Sequence, residues 1–403
     1  MIFPKRGYML ISKKKQKAVQ HGFPPSEFES RLARSQHIMF RHELDALVLT
    51  APSNFRYFTG FDSQFWESPT RPWFVIIPLS QEPIAVVPEI GAEALEKTWL
   101  SNIFSWPAPR PEDDGISSLA NVIRNLPHRF SRIGMELGRE QSLRMPVIEM
   151  RALALELNGN EIVNGADALW EIRMIKTVEE VSRIKHICRV VSEAYALVPK
   201  LVQAGDTERE AQRKLAIEIL RGGADSIPFL PAISGPGGVP QIVCGPSDRE
   251  ISNGDILFFD TGSTFDGYFC DFDRNYAVGS VSDEARRAHE LVWKATDVGI
   301  KAAFPGVAVH ELHRKMAAVL ENGRNTKNNV GRFGHGLGLQ LTEPPSNMPG
   351  DETIIAPNMV LTIEPSLEYA PGKMIVHEED LLITPDGPEL LTYRAPIELP
   401  IIE

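Results

Sequence analysis

The segment DILFFDTGSTFDGYFCDFDRNYAVG, residues 255–279, constrains this 403-residue chain more than any other. Two apolar, strand-like runs flank Asp266-Gly267, a dipeptide suited to the tight turn of a β-hairpin. Asp260 closes the first run and Asp271 lies on the second. A hairpin therefore brings two carboxylates from adjacent strands to one place. Facing carboxylates repel and lose hydration, so burying them together is costly unless cations neutralise them. Taken alone, the pair also fits two strand ends in water.

Three later segments carry groups of the same chemistry. FGHGLGL (333–339) flanks His335 with glycines, which permit close backbone approach and leave room beside the imidazole. MVLTIEPSL (359–367) reads as a strand that delivers Glu364 just before a proline. MIVHEEDLLIT (374–384) reads as another, with Glu379 in its middle; such charged groups need partners unless the strand is an exposed edge. Asp260, Asp271, His335, Glu364 and Glu379 together offer four carboxylates and one imidazole. Mixed oxygen and nitrogen donors suit Mn²⁺, Fe²⁺, Co²⁺ or Zn²⁺, and four carboxylates can bridge two ions. Two ions a few ångströms apart generate a hydroxide nucleophile near neutral pH and stabilise charge developing on a substrate.

The rest of the chain supports two domains after a polar arm. Residues 1–24 carry Lys13, Lys14, Lys15 and Lys17 and end at Pro24-Pro25. Over 25–165, short apolar runs at ALVLT (46–50), WFVIIPL (73–79), IAVVP (84–88) and IGMEL (133–137) read as strands. They interleave with a helix bearing Phe28, Leu32, Ile38 and Met39 and an amphipathic helix over 146–157, an α/β pattern. From 166 to 403 the pattern is α+β. Helical spacing runs through most of 168–202, with Thr177 and Glu180 as a capping box, and again from Thr207 to Gly222-Gly223. Strands follow over 226–280, then helices near 282–304 and 309–322, then strands to the end. The net charge of −11 disfavours nucleic acid, whose binding runs on Lys and Arg. Three cysteines without a CxxC pair argue against a disulfide framework, and no apolar stretch reaches membrane-helix length, which points to a cytoplasmic protein.

The order Asp–Asp–His–Glu–Glu, the GHGLG around His335, the IEP around Glu364 and the eleven-residue step from Asp260 to Asp271 resemble the pita-bread metallopeptidases of family M24. These include Xaa-Pro aminopeptidases, prolidases and methionine aminopeptidases, with creatinase as a metal-free relative. ALWEIRMIKTVEEVSRIK (168–185) resembles the start of their catalytic domain, and the first half, with SNFRYFTGFD (53–62), resembles the creatinase-type N-terminal domain. The likeness runs over about residues 25–400. It implies a creatinase-like α/β domain, a pita-bread catalytic domain and a homodimer. It also implies that Asp260 ligates one metal, Asp271 and Glu379 bridge two, and His335 and Glu364 complete the second, with Glu364 also shuttling a proton.

Two peptide-handling histidines of the family are replaced, by Val243 three residues before Pro246 and by Thr342 seven after His335. His377 is the nearest candidate catalytic substitute, or else a residue that orients Glu379; Glu343 and a loop carrying Trp66, Arg71 and Trp73 are others. That loop reads either as a substrate cover or as local packing, and Cys270 as a small strand residue facing away from Asp271. The expected function is hydrolysis of an amide bond in a short Xaa-Pro-type peptide or peptide-like small molecule with two divalent ions. The alternatives are a non-peptidase enzyme on the same scaffold, similar to dimethylsulfoniopropionate lyases or to a small-metabolite amidohydrolase, and a silent binding protein.

Overall fold

The computed structural model describes residues 19–68, 71–321 and 331–403, so the lysine cluster at 13–17 lies outside the described residues. Six strands form the first sheet: β1 (Ala46–Leu49), β2 (Phe74–Pro78), β3 (Ile84–Pro88), β4 (Asn102–Trp106), β5 (Arg132–Met135) and β6 (Glu161–Asn164). Their spatial order is β4-β3-β2-β1-β5-β6. β1 sits in the middle, antiparallel to β2 and parallel to β5, and is buried at every residue. Burial on both faces is why ALVL is a continuous apolar run instead of an alternating one. Helix Pro25–Arg41 has proline in its first turn, where no amide hydrogen is needed, and buries Phe28, Ile38 and Met39. Helix Val147–Glu156 forms where expected but is not amphipathic: only Leu153 is buried, while Val147, Ile148 and Leu155 stand exposed.

In the second half, the helical stretch expected over 168–202 is three pieces, Ala166–Met174, Val178–Tyr195 and Val198–Leu201. The Thr177–Glu180 capping box starts the second piece, as its sequence requires. A second box, Thr207–Glu210, starts Glu208–Gly222, and Gly223 ends it at φ 108, a left-handed cap that glycine adopts without strain. One sheet contains β7 (Ser226–Phe229), β8 (Ala232–Pro236), β9 (Asp255–Phe265), β10 (Tyr268–Val278) and β18 (Ile401–Ile402). The other runs β12-β11-β13-β16-β17, from Glu343–Ser346, His335–Gly336, Val360–Ile363, Glu379–Thr384 and Gly387–Leu390. A small hairpin, β14 (Ser366–Ala370) with β15 (Lys373–Val376), lies between them in sequence. Helix Val178–Tyr195 packs on β9 and β10, helices Asp283–Ala302 and Val309–Glu321 pack on each other, and β10 meets β16. The two sheets thus converge where β10 and β16 touch.

Candidate metal centre

β9 and β10 pair antiparallel along their whole length, and Phe265 faces Tyr268 across the turn. Asp266 and Gly267 have φ of 50° and 77°, both left-handed, as a two-residue type I′ turn demands. The register sets Asp260 opposite Asp273 and Asp271 opposite Gly262. Side chains alternate along a strand, so Asp260, Asp271 and Asp273 share one face. The motif reading does not single out Asp273, although its two-residue offset from Asp271 is the signal that finds it.

The opposing sheet brings the remaining groups. The His335 amide donates to Thr362 Oγ1 at 3.2 Å and the Glu364 amide to Phe333 O at 3.0 Å, which sets these two residues side by side. The crossing is so close that a Cβ at Gly334 would lie 2.1 Å from Thr362 O, and its φ is 122°. His335 Nδ1 lies 2.9 Å from Gly336 O and acts as donor, which leaves Nε2 as a lone pair 3.4 Å from Asp271 Oδ2. Donor atoms of Asp271, His335 and Glu378 lie within 4.8 Å of one another, a group able to hold a metal ion.

The carboxylate that the last segment brings to this group is Glu378, one residue before the expected Glu379. Neighbours on an extended chain point to opposite faces. Glu379 points away, into a cage where Arg274 Nη2 (3.0 Å), Arg394 Nη1 (3.3 Å), the Ala395 amide (3.0 Å) and Thr392 Oγ1 all bond its carboxylate. With both oxygens so engaged, it has nothing left for an ion. His377 shares that far side: Nδ1 lies 3.5 Å from Arg394 Nη1 and Nε2 lies 4.0 Å from Glu379 Oε1. The structure does not bring His377 to the cluster, so its candidacy as a catalytic group falls with the same one-residue shift.

The electrostatics fit a cation-binding cradle. Burial pushes the Asp260 carboxyl up to about 7, and burial with the nearby Asp260 charge pushes Glu364 up to about 8. Asp271, Asp273 and Glu378 are raised too, by burial first and then by the charges of Asp260 and Glu364, with Asp380 adding at Asp271, Glu379 at Asp273, and Asp271 and Asp273 at Glu378. Burial holds His335 down at about 4, so it is the neutral imidazole that metals bind. Asp260 Oδ1, Glu378 Oε1 and both Asp273 oxygens are buried without a hydrogen-bond partner. Orphaned buried oxygens are rare in native proteins, and a divalent ion would satisfy them. Asp380, on the Glu378 side of its strand, accepts from the Asp271 amide at 3.1 Å and Cys188 Sγ at 3.3 Å, and so braces the cluster from behind.

The other singled-out residues take quieter places. Val243 is exposed. Thr342 Oγ1 accepts from Arg332 Nη2 at 3.1 Å, and the Arg332 charge is felt at Asp271, His335 and Glu364. Glu343 is sealed in a clamp with Arg173 and with Lys176 (3.0 Å). Arg173 also reaches Asn54 Oδ1 (2.6 Å) and Gln340 Oε1 (2.8 Å), and Asn54 reaches Glu136 Oε1 (2.7 Å), so the clamp joins the first half to the loop after His335. Trp66 and Trp73 pack together with Phe55 and Phe61, which supports the local-packing reading of that loop. Cys188, Cys244 and Cys270 are all free thiols.

A family model described as metallopeptidase family M24 matches residues 182–385, half of the chain, and one described as creatinase/prolidase N-terminal domain matches 31–175. The chain belongs to the M24 metallopeptidases. Its two-part architecture is that of a creatinase-like domain followed by a pita-bread domain. A probable dipeptidase PepE of Mycobacterium tuberculosis is 26% identical over 381 residues, covering 94% of this chain and 98% of that one. The Xaa-Pro dipeptidase of Pyrococcus furiosus is 27% identical over 367 residues, covering 90% and 98%. The crystal structure of dipeptidase PepE from Mycobacterium ulcerans superposes with a TM-score of 0.82 at 25% identity, covering 94% of this chain and 99% of that one. This M24 protein is a metal-dependent hydrolase; the non-peptidase alternative finds no support among these relatives. Among its described residues no helix is long and apolar enough to cross a membrane.

Proposed function

We propose that this chain hydrolyses dipeptides of the Xaa-Pro type, using two divalent ions held by Asp260, Asp271, His335, Glu364 and Glu378. The observation that carries the reading is the convergence of Asp271, His335 and Glu378 beside orphaned carboxylate oxygens of the same cluster. The names of the relatives above support a dipeptide substrate. Divalent ions bound there would supply a Lewis acid and lower the pKa of water into the neutral range. The protein's own groups do the rest. His335 presents a lone pair in a tautomer set by the Gly336 carbonyl. Glu364 would take the proton from the attacking water and return it to the leaving amine, general acid–base work suited to a carboxyl raised by burial. Arg332, which donates to Thr342 beside the cluster, would bind the substrate carboxylate. A homodimer belongs to the same proposal and is read out as molar mass in solution.

The test is metal analysis of the purified protein after incubation with Mn²⁺, Fe²⁺, Co²⁺ or Zn²⁺, followed by turnover of Xaa-Pro dipeptides. About two equivalents of bound ion and metal-dependent release of proline are expected. Protein that takes up only trace metal under all four ions sinks the proposal. Loaded protein that leaves Xaa-Pro dipeptides intact but cleaves other dipeptides confines the failure to the substrate assignment.

A further inference from the structure

We propose that Asp273 is a further ligand of the metal centre, which makes the donor set five carboxylates and one imidazole and suits it to a hard ion such as Mn²⁺. This rests on the metal-centre reading above. Asp273 is the direct cross-strand partner of Asp260, and such partners hold their Cβ atoms about 4.5–5.5 Å apart on one face. It is 1% exposed, and neither of its carboxylate oxygens has a hydrogen-bond partner. No other member of the cluster is left so bare: Asp260 and Glu378 each lack a partner at one oxygen.

The adjacent cation lowers the cost only through its charge and donates no hydrogen bond to the Asp273 carboxylate. Arg274 follows Asp273 on the strand and faces the other way, where its guanidinium is committed to Glu379 Oε2 (3.0 Å), Glu378 O (3.1 Å), Tyr393 O (2.6 Å) and the Asp273 carbonyl. The Asp273 carboxylate receives none of these bonds. Asp380, on the site's side of β16, differs by degree: its Oδ2 accepts from the Asp271 amide and Cys188, and only its Oδ1 lacks a partner. A buried carboxylate opposite another, without donor or paired cation, is compensated by an ion bound between the two strands. An added oxygen donor moves the site toward Mn²⁺ and away from the nitrogen- and sulfur-rich sets that Zn²⁺ accepts.

The experiment compares full-length wild type with Asp273→Asn, both stripped of metal. Each is titrated with Mn²⁺ by calorimetry, with bound metal counted by elemental analysis. The expected result is at least a tenfold weaker Kd for the second Mn²⁺ equivalent in the variant. A Mn²⁺/Zn²⁺ competition should shift toward Zn²⁺. Metal-free Asp273→Asn should melt no lower than metal-free wild type, since it replaces a buried carboxyl without a hydrogen-bond partner by a neutral group of the same shape, and this shows that the fold is intact. Equal stoichiometry and equal Kd in the two proteins overturn the proposal and make Asp273 a buried neutral acid. Wild type that binds no Mn²⁺ overturns the metal-centre reading itself, so the two failures are distinct.

Discussion

A single peptide step divides two jobs between Glu378 and Glu379. Glu378→Gln should strip the centre of metal, read as bound ion per chain, while leaving the metal-free melting temperature unchanged or higher. Glu379→Gln should keep its metal and lose stability, by about 3–5 kcal/mol, the usual effect of breaking a buried ion pair. The reverse pattern, metal lost with Glu379 alone, would return the ligand role to Glu379. The neighbouring carboxyls make a second prediction about pH. Asp260 near 7 and Glu364 near 8 lie well above unfolded carboxyls, so the metal-free native state holds protons that the unfolded chain has released. Their contribution is whole below about pH 4 and is lost as pH rises through 7 and 8. Chelated protein should therefore melt at progressively lower temperature from pH 5 to pH 8.5, and metal-loaded protein should show a flatter profile. A chelated profile that rises over that interval would contradict the cluster's electrostatics.

At the scale of elements, the β9–β10 hairpin is the member on which the site depends most. Its turn is tied down by Arg56, which bonds Asp266 at 2.8 Å and would be struck at 2.7 Å by a Cβ on Gly267. Gly267→Ala also forces alanine to a φ of 77°, a left-handed conformation that costs a non-glycine residue about 1–2 kcal/mol. A lower melting temperature with metal stoichiometry retained is the expected outcome; an unchanged melt would mean that the turn relaxes freely. Such features are readable from sequence because they are local. Asp266-Gly267 declares its own turn, Thr177 and Glu180 declare their own cap, and the step from Asp260 to Asp271 follows from the hairpin. The choice between Glu378 and Glu379 is not local. Alternation says that one of them faces the site, but only the positions of Arg274 and Arg394, brought in from β10 and from the segment after β17, say which. Helix Val147–Glu156 departs for a related reason: Val147, Ile148 and Leu155 carry the composition of a buried face, yet they stand exposed while only Leu153 is buried.

Across the whole molecule, the Asn54–Arg173–Glu343 clamp couples the first half to the half that carries all the proposed ligands. Arg173→Met should destabilise the protein and also weaken metal binding, because Glu343 anchors the loop that follows His335 and would be left with Lys176 alone. Melting curves with and without Mn²⁺ separate the two effects: a shift of equal size in both would show that the clamp is purely structural and that the halves do not communicate. The same clamp sets an order on the making of the protein. Glu343 lies 170 positions after Arg173 along the chain, and Glu378 later still. A ribosome has therefore released the entire first sheet, with Arg173 and Lys176 still lacking their shared counter-charge, long before the last carboxylate of the cradle emerges. Closing so distant a contact comes late in folding. With the proposed ligand set, the nascent chain has no complete site to offer an ion until its last part has emerged.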